Sequence, residues 1–130
     1  MITHPGAVFV NLQYGDCAEE IEAARREFGV EIWQPPGIDL KQDLDDVAAL
    51  SCALDLVIGF SNATLNIAAA CGAPTFLVAL SGAWTRLGLK TEYAWYPQVR
   101  VFEPPSFADW PAVMDQLGRA FGEFLAVRGR

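Results

Sequence analysis

Histidine, cysteine and positive charge are all scarce in this 130-residue chain. Its one histidine, His4, stands in a short polar N-terminal segment, which leaves no imidazole for general acid–base chemistry. The three cysteines, Cys17, Cys52 and Cys71, are odd in number and far apart. No Cys-x-x-Cys or Cys/His spacing occurs, so neither a disulfide framework nor a zinc site is expected. Cys52 and Cys71 fall in apolar helical contexts and read as small core residues, while Cys17 stands at a helix start. Nine Lys and Arg against sixteen Asp and Glu give a net charge of −7, and only Arg25 and Arg26 are adjacent. Phosphate-backbone binding needs clustered cations, so nucleic acid is excluded as a partner. No apolar run approaches the ~20 residues that span a bilayer. The first residues lack the basic start and apolar core of a signal peptide, so a cytoplasmic location without a membrane span is expected.

The chain also lacks the usual catalytic punctuation. There is no G-x-G-x-x-G, no P-loop and no G-x-S-x-G elbow. Ser61 has no partner base in view. Asp39, Asp43, Asp45 and Asp46 lack the glycine and terminal glutamate of a calcium loop and are better explained by helix capping. Asp16 is placed at the start of a helix and reads first as its cap. No catalytic residue, metal ligand or cofactor is assigned.

What is present is a strand–helix alternation. About half of the residues are apolar and a fifth charged, as in globular domains. Apolar runs at Ala7–Leu12, Val30–Trp33, Asp55–Phe60, Thr75–Leu80 and Val99–Phe102 read as buried parallel strands. Between them, helices are expected from Cys17 to Phe28, with Ile21, Ala24 and Phe28 facing the sheet and Gly29 as C-cap, and from Leu44 to Leu54 with Asp43 as N-cap. A third helix, rich in small residues, follows Ser61 and stops at Gly72-Ala73-Pro74. A last helix begins near Asp109-Trp110-Pro111 and is expected to bury Trp110, Val113, Met114, Leu117, Phe121, Phe124 and Leu125. The pattern predicts an α/β fold: a Rossmann-like three-layer sandwich with a mostly parallel five-stranded sheet, order 3-2-1-4-5, and helices on both faces. Residues 7–126 form this unit, with tails at 1–6 and 127–130.

In such sheets ligands sit beyond the carboxyl ends of the strands. That edge collects Gln13, Tyr14, Gly15 and Asp16, the Gln34–Pro36 turn, Ser61 to Thr64, and Ser81 to Arg86. The richest segment is Asp55–Pro74. There an apolar strand meets Ser61-Asn62-Ala63-Thr64 at a helix start, where unpartnered N–H groups and the helix dipole favour an anion. Ala63, Ala68, Ala69 and Ala70 would let that helix lie close on the sheet. A segment from Ser81 to Gln98 has no clear periodicity and carries Trp84, Tyr93, Trp95 and Tyr96. Hydroxyls, amides, aromatic rings and Arg86 together suit a nucleotide or nucleotide-sugar.

Phe9–Asp16 (FVNLQYGD), Asp43–Gly59 (DLDDVAALSCALDLVIG), Ala68–Pro74 (AAACGAP) and Ala94–Phe102 (AWYPQVRVF) together resemble one family. It is the C-terminal part of bacterial glycosyltransferases related to lipopolysaccharide heptosyltransferases (glycosyltransferase family nine), especially those fused to tetratricopeptide repeats. The resemblance implies the nucleotide-sugar donor half of a two-domain GT-B enzyme, inactive alone. Its implied partners are a nucleotide-sugar or nucleoside diphosphate, an N-terminal GT-B half and tetratricopeptide repeats. Gln13, Tyr14 and Gly15 would line the donor cleft, Ser61, Asn62, Ala63 and Thr64 would meet the diphosphate, and Trp84 and Arg86 would belong to an aromatic and basic loop. Relatives commonly carry Asp-Thr at Ser61-Asn62 and His at Asn66. Those departures favour the alternative, a non-catalytic Rossmann-like protein-interaction module with a degenerate site.

Overall fold

The apolar runs do become parallel strands, but they divide between two sheets. A computed structural model describes residues 2–89, 92–106 and 109–129. Positions 90 and 91 of the expected 81–98 loop, and the outermost residue of each expected tail, lie outside that set. The order is β1 (Phe9–Val10), α1 (Ala18–Phe28), β2 (Ile32–Trp33), α2 (Leu44–Ala53), β3 (Val57–Phe60), α3 (Ala63–Ala70) and β4 (Thr75–Val78). A single 3-10 turn (Trp84–Arg86), β5 (Val99–Phe102) and α4 (Trp110–Arg128) complete it.

Strand β4 holds the larger sheet together. It pairs in parallel with β3 on one side and β5 on the other, with Leu77 opposite Gly59 and Val101. All four of its residues are buried. Successive side chains point to opposite faces, so the run feeds two cores. Leu77 and Ala79 join Leu65, Ala69, Tyr93 and Val99 on the α3 face. Phe76 and Val78 join Phe102, Val113, Leu117 and Ala120 on the α4 face. Helices thus cover both faces of this sheet.

The second sheet is only β1 and β2, paired Phe9 to Ile32 and Val10 to Trp33. The α/β class and parallel strands stand; the single five-stranded sheet of order 3-2-1-4-5 does not. Among the described residues β3 pairs with β4, and β1 bonds only to β2. A parallel ladder grows where both neighbours are buried; Phe9 and Val10 are only half-buried and Val8 is exposed, so pairing stops after two residues. The sheets meet through side chains instead. Phe9 packs on Phe121 of α4 with ring centroids 5.9 Å apart, and Leu12 packs on Val57, Ala68 and Ala73.

Helix boundaries follow local chemistry. Gly29 ends α1 in the left-handed conformation, φ 65°, and its N–H donates to the Arg25 carbonyl, a C-cap that costs a residue without a Cβ least. Glu19 and Glu20 lie in the first turn of α1 and Arg25 and Arg26 in its last, matching the helix dipole. Asp109 caps α4 by accepting from Ala112 N–H, with Pro111 in the first turn. Asp43 occupies the N-cap of α2, but its carboxylate accepts from the Asp39 N–H at 2.8 Å rather than from the helix.

Four residues expected in the core are corrected. Phe28 is exposed, because α1 buries none of its residues against the narrow two-stranded sheet. Met114 is 47% exposed; the inward stripe of α4 is Val113, Leu117, Ala120 and Phe121, and Met114 falls beside it. Cys52 and Cys71 are exposed, since Val47 and Ser51 take the inner face of α2 and Cys71 is the C-cap of α3. The consequence is measurable by urea unfolding. Leu77→Ala, at a side chain with no exposure, is expected to cost about 2–5 kcal/mol. Met114→Ala is expected to stay within about 1 kcal/mol; equal losses would contradict the assigned α4 face.

Candidate functional site

The carboxyl ends of β1 and β3 open onto two adjoining cavities. The smaller, about 320 Å³, lies beyond β1 and β2 and is lined by Gln13, Tyr14, Gly15, Gln34, Pro35 and the 38–41 turn. The larger, about 920 Å³, is a cleft between the unpaired edges of β1 and β3, floored by Phe121, Phe124 and Leu125 of α4. Asn11, Gln13, Asp16 and Cys17 line both. Apolar strand residues form most of the larger cleft, and Asn62 and Thr64 enter it from the start of α3.

Each polar residue at this edge is held by local bonds. Asn11 directly follows β1; its Oδ1 accepts from Gln13 N–H at 2.9 Å, and its Nδ2 donates to Cys17 Sγ at 3.4 Å. This turn needs Gly15 at φ 94°, a conformation that glycine adopts without strain. Asp16 is not the helix cap. Cys17 takes that position without a side-chain bond, while Asp16 Oδ1 accepts from Ala18 N–H at 3.3 Å.

At the other wall Asn62 is the N-cap of α3: its Oδ1 accepts from Leu65 N–H at 2.9 Å. Asn66 Nδ2 donates to the Asn62 carbonyl at 2.7 Å, and the Tyr93 hydroxyl donates to Asn66 Oδ1 at 3.0 Å. Tyr93 is 3% exposed, and Gln98 Nε2 donates to the Ala69 carbonyl at 2.6 Å. Asn66 is thus a pin that fastens the segment after the 3-10 turn onto α3. The small residues of α3 divide: Ala68 and Ala69 are buried on the sheet, while Ala63 and Ala70 are exposed.

The expected site residues therefore separate into groups. Gln13, Tyr14 and Gly15 share the smaller cavity, and Gln13, Asn62 and Thr64 meet in the larger. Ser61 and Ala63 are exposed at the start of α3 and line neither. Trp84 projects outward at 81% exposure. Arg86 is 3% exposed and forms an ion pair with Glu103 just beyond β5, so its guanidinium serves the packing of the 3-10 turn. Sequence reasoning passed over Asn11; it took Asn66 as a departure from the family pattern and Tyr93 as one aromatic of the aperiodic 81–98 segment. An amide at the end of an apolar strand was the available signal for the first. Among the described residues, no three of His, Cys, Asp and Glu gather as a metal site, and no helix is long and apolar enough to cross a membrane.

Two substitutions separate these roles. Asn62→Ala is expected to lose about 1 kcal/mol of stability, and Asn62→Asp to retain most of the cap. Arg86→Met, which removes the ion pair to Glu103, is expected to be clearly destabilising, while Trp84→Ala stays within about 0.5 kcal/mol. Chemical denaturation of the four variants checks both orders.

No family model matches the chain, and no solved structure matches it. Protein FlbA of Caulobacter vibrioides is 58% identical over 122 residues, covering 94% of this chain and 20% of that protein. The chain therefore spans about a fifth of the length of the curated relative it matches. These findings overturn the glycosyltransferase reading, with its GT-B halves, heptosyltransferase likeness and tetratricopeptide association, because the relative is a protein of a different kind by name. The physical reason lies in what carried the resemblance: an apolar strand, a polar turn and a small-residue helix are what any parallel strand–helix unit requires. What the chain is similar to over nearly its whole length is one segment of the Caulobacter protein FlbA.

Proposed function

We propose that this chain is a ligand-binding α/β module, spanning residues 7–126, that holds a small amphipathic organic molecule without transforming it. The observation that carries the reading is the cleft of about 920 Å³ between β1 and β3. Sites for small molecules are concave, mostly apolar and marked by a few polar groups that fix orientation. Here the apolar walls would take the body of the ligand. Asn11, Gln13, Asn62 and Thr64, gathered at the carboxyl ends of the strands, would hydrogen-bond its head. Tyr14 and Gly15 extend the polar end into the smaller cavity. Ser61, Ala63, Trp84 and Arg86 have no part in it. The reading places the module in the cytoplasm, consistent with three free cysteines.

A binding role is favoured over chemistry by the residues at this edge. Asp16, Cys17 and Glu20 line the cleft near its polar end, and Tyr14, Asp39 and Lys41 join Asp16 and Cys17 in the smaller cavity. The partners of that thiol are Asn11 Nδ2 and the Gln13 carbonyl. An activated nucleophile requires an adjacent base or a charge that favours the thiolate.

The test uses anilinonaphthalene sulfonate, an amphipathic dye that brightens in apolar surroundings. One dye per folded chain is expected, with a raised thermal midpoint. Val8→Trp adds bulk at an exposed residue of the lining and is expected to weaken the dye at least tenfold. No saturable binding, or binding indifferent to Val8→Trp, would sink the proposal.

A further inference from the structure

Helices α2 and α3 pack side by side, and at their shared end two cysteines come together. Cys52 lies in the last turn of α2 and Cys71 is the C-cap of α3. They are 19 positions apart in sequence, yet the Cys52 thiol donates to the Cys71 carbonyl at 3.8 Å, which brings the two residues side by side. Both residues are exposed, so a reagent from solvent reaches them. Neither lines the cleft or the smaller cavity, and neither contributes to the core, so packing gives no reason for their pairing. The Cys71 thiol is held above the ordinary thiol range, first by desolvation at its sulfur and then by the adjacent Cys52.

We propose that Cys52 and Cys71 form a reversible dithiol–disulfide site that ties the end of α2 to the end of α3. The oxidant class is a small-molecule disulfide. One cysteine loses its proton, and the thiolate attacks a sulfur of the reagent, forming a mixed disulfide and expelling one small thiolate. The second cysteine, deprotonated in turn, attacks the protein-side sulfur of that mixed disulfide and expels the other. Two protons leave the protein, the cysteines are oxidised by two electrons, and the reagent is reduced to two thiols. Because α2 and α3 flank the loop that carries β3, the cross-link fastens both helices around one wall of the cleft. The site stands on its own geometry and does not depend on the ligand reading.

The experiment treats the folded chain with oxidised glutathione, quenches with iodoacetamide and maps peptides by mass. No Lys or Arg lies between Lys41 and Arg86, so trypsin releases both cysteines on a single peptide. The expected result is that peptide two hydrogens lighter and unalkylated, with Cys17 outside the cross-link. The same peptide is expected from Cys17→Ser, and Cys52→Ser abolishes the cross-link. In urea the selectivity is expected to disappear, with Cys17 entering the mixture. Stable glutathione adducts on Cys52 and Cys71 separately, cross-links between chains, or the same mixture folded and unfolded would each overturn the proposal.

Discussion

Complete burial of a four-residue strand is the constraint from which the rest of this structure follows. Strand β4 has no exposed face and no exposed edge, so every group in it needs a partner. Its backbone bonds to β3 and β5, and its only side-chain hydroxyl, on Thr75, donates to the Ala73 carbonyl at 2.8 Å. Both faces then need apolar cover. On one, Ala68 and Ala69 let α3 lie against the sheet with Leu65 as the filling side chain. On the other, α4 supplies Val113, Leu117 and Ala120 against Phe76, Val78 and Phe102. Each buried Leu or Val contributes about 1.5–3 kcal/mol, so this three-strand unit with two helices holds most of the apolar stabilisation.

The smaller sheet is attached on different terms. No backbone bond joins β1 to β3 among the described residues; the join rests on Phe9 against Phe121 and on Leu12 against the Val57 cluster. Side-chain contacts across a broad seam leave the strand edges apart, and the space between them is the cleft. A parallel edge left unpaired presents N–H and C=O groups beside apolar side chains. That combination suits an amphipathic occupant, which offers both an apolar body and hydrogen-bonding atoms.

Polar residues along the carboxyl edge divide by what they already hold. Asn66, Tyr93 and Gln98 are committed to one another and to α3, and their bonds fix the chain that returns from β4 to β5. The aromatic residues of that return divide likewise: Tyr93 is buried, while Trp84 and Trp95 stay exposed, with Trp95 Nε1 donating to the Thr85 carbonyl at 2.7 Å. Positions that look like losses from a binding motif are, in this chain, gains for packing. Identity of 58% with a segment of FlbA is similarity to a fifth of a longer protein.

By itself the sequence determined the alternation and its punctuation. Apolar β-branched runs, Gly29 as a C-cap, Asn62 and Asp109 as N-caps and the small residues of α3 act within one turn or one strand, so their consequences are local and readable. Tertiary structure decided what depends on distant partners. It decided which strands share a sheet, because register and neighbour choice are settled by faces and edges that the chain brings together only on folding. Whether Met114 or Ala120 faces inward followed from how α4 rotates onto Phe76 and Phe102. Arg86 turned to Glu103 rather than to the cleft because a guanidinium that is buried needs its counter-charge. Cys52 and Cys71, separated by a strand and a helix in the sequence, became neighbours because α2 packs on α3, and that contact is a property of the fold alone.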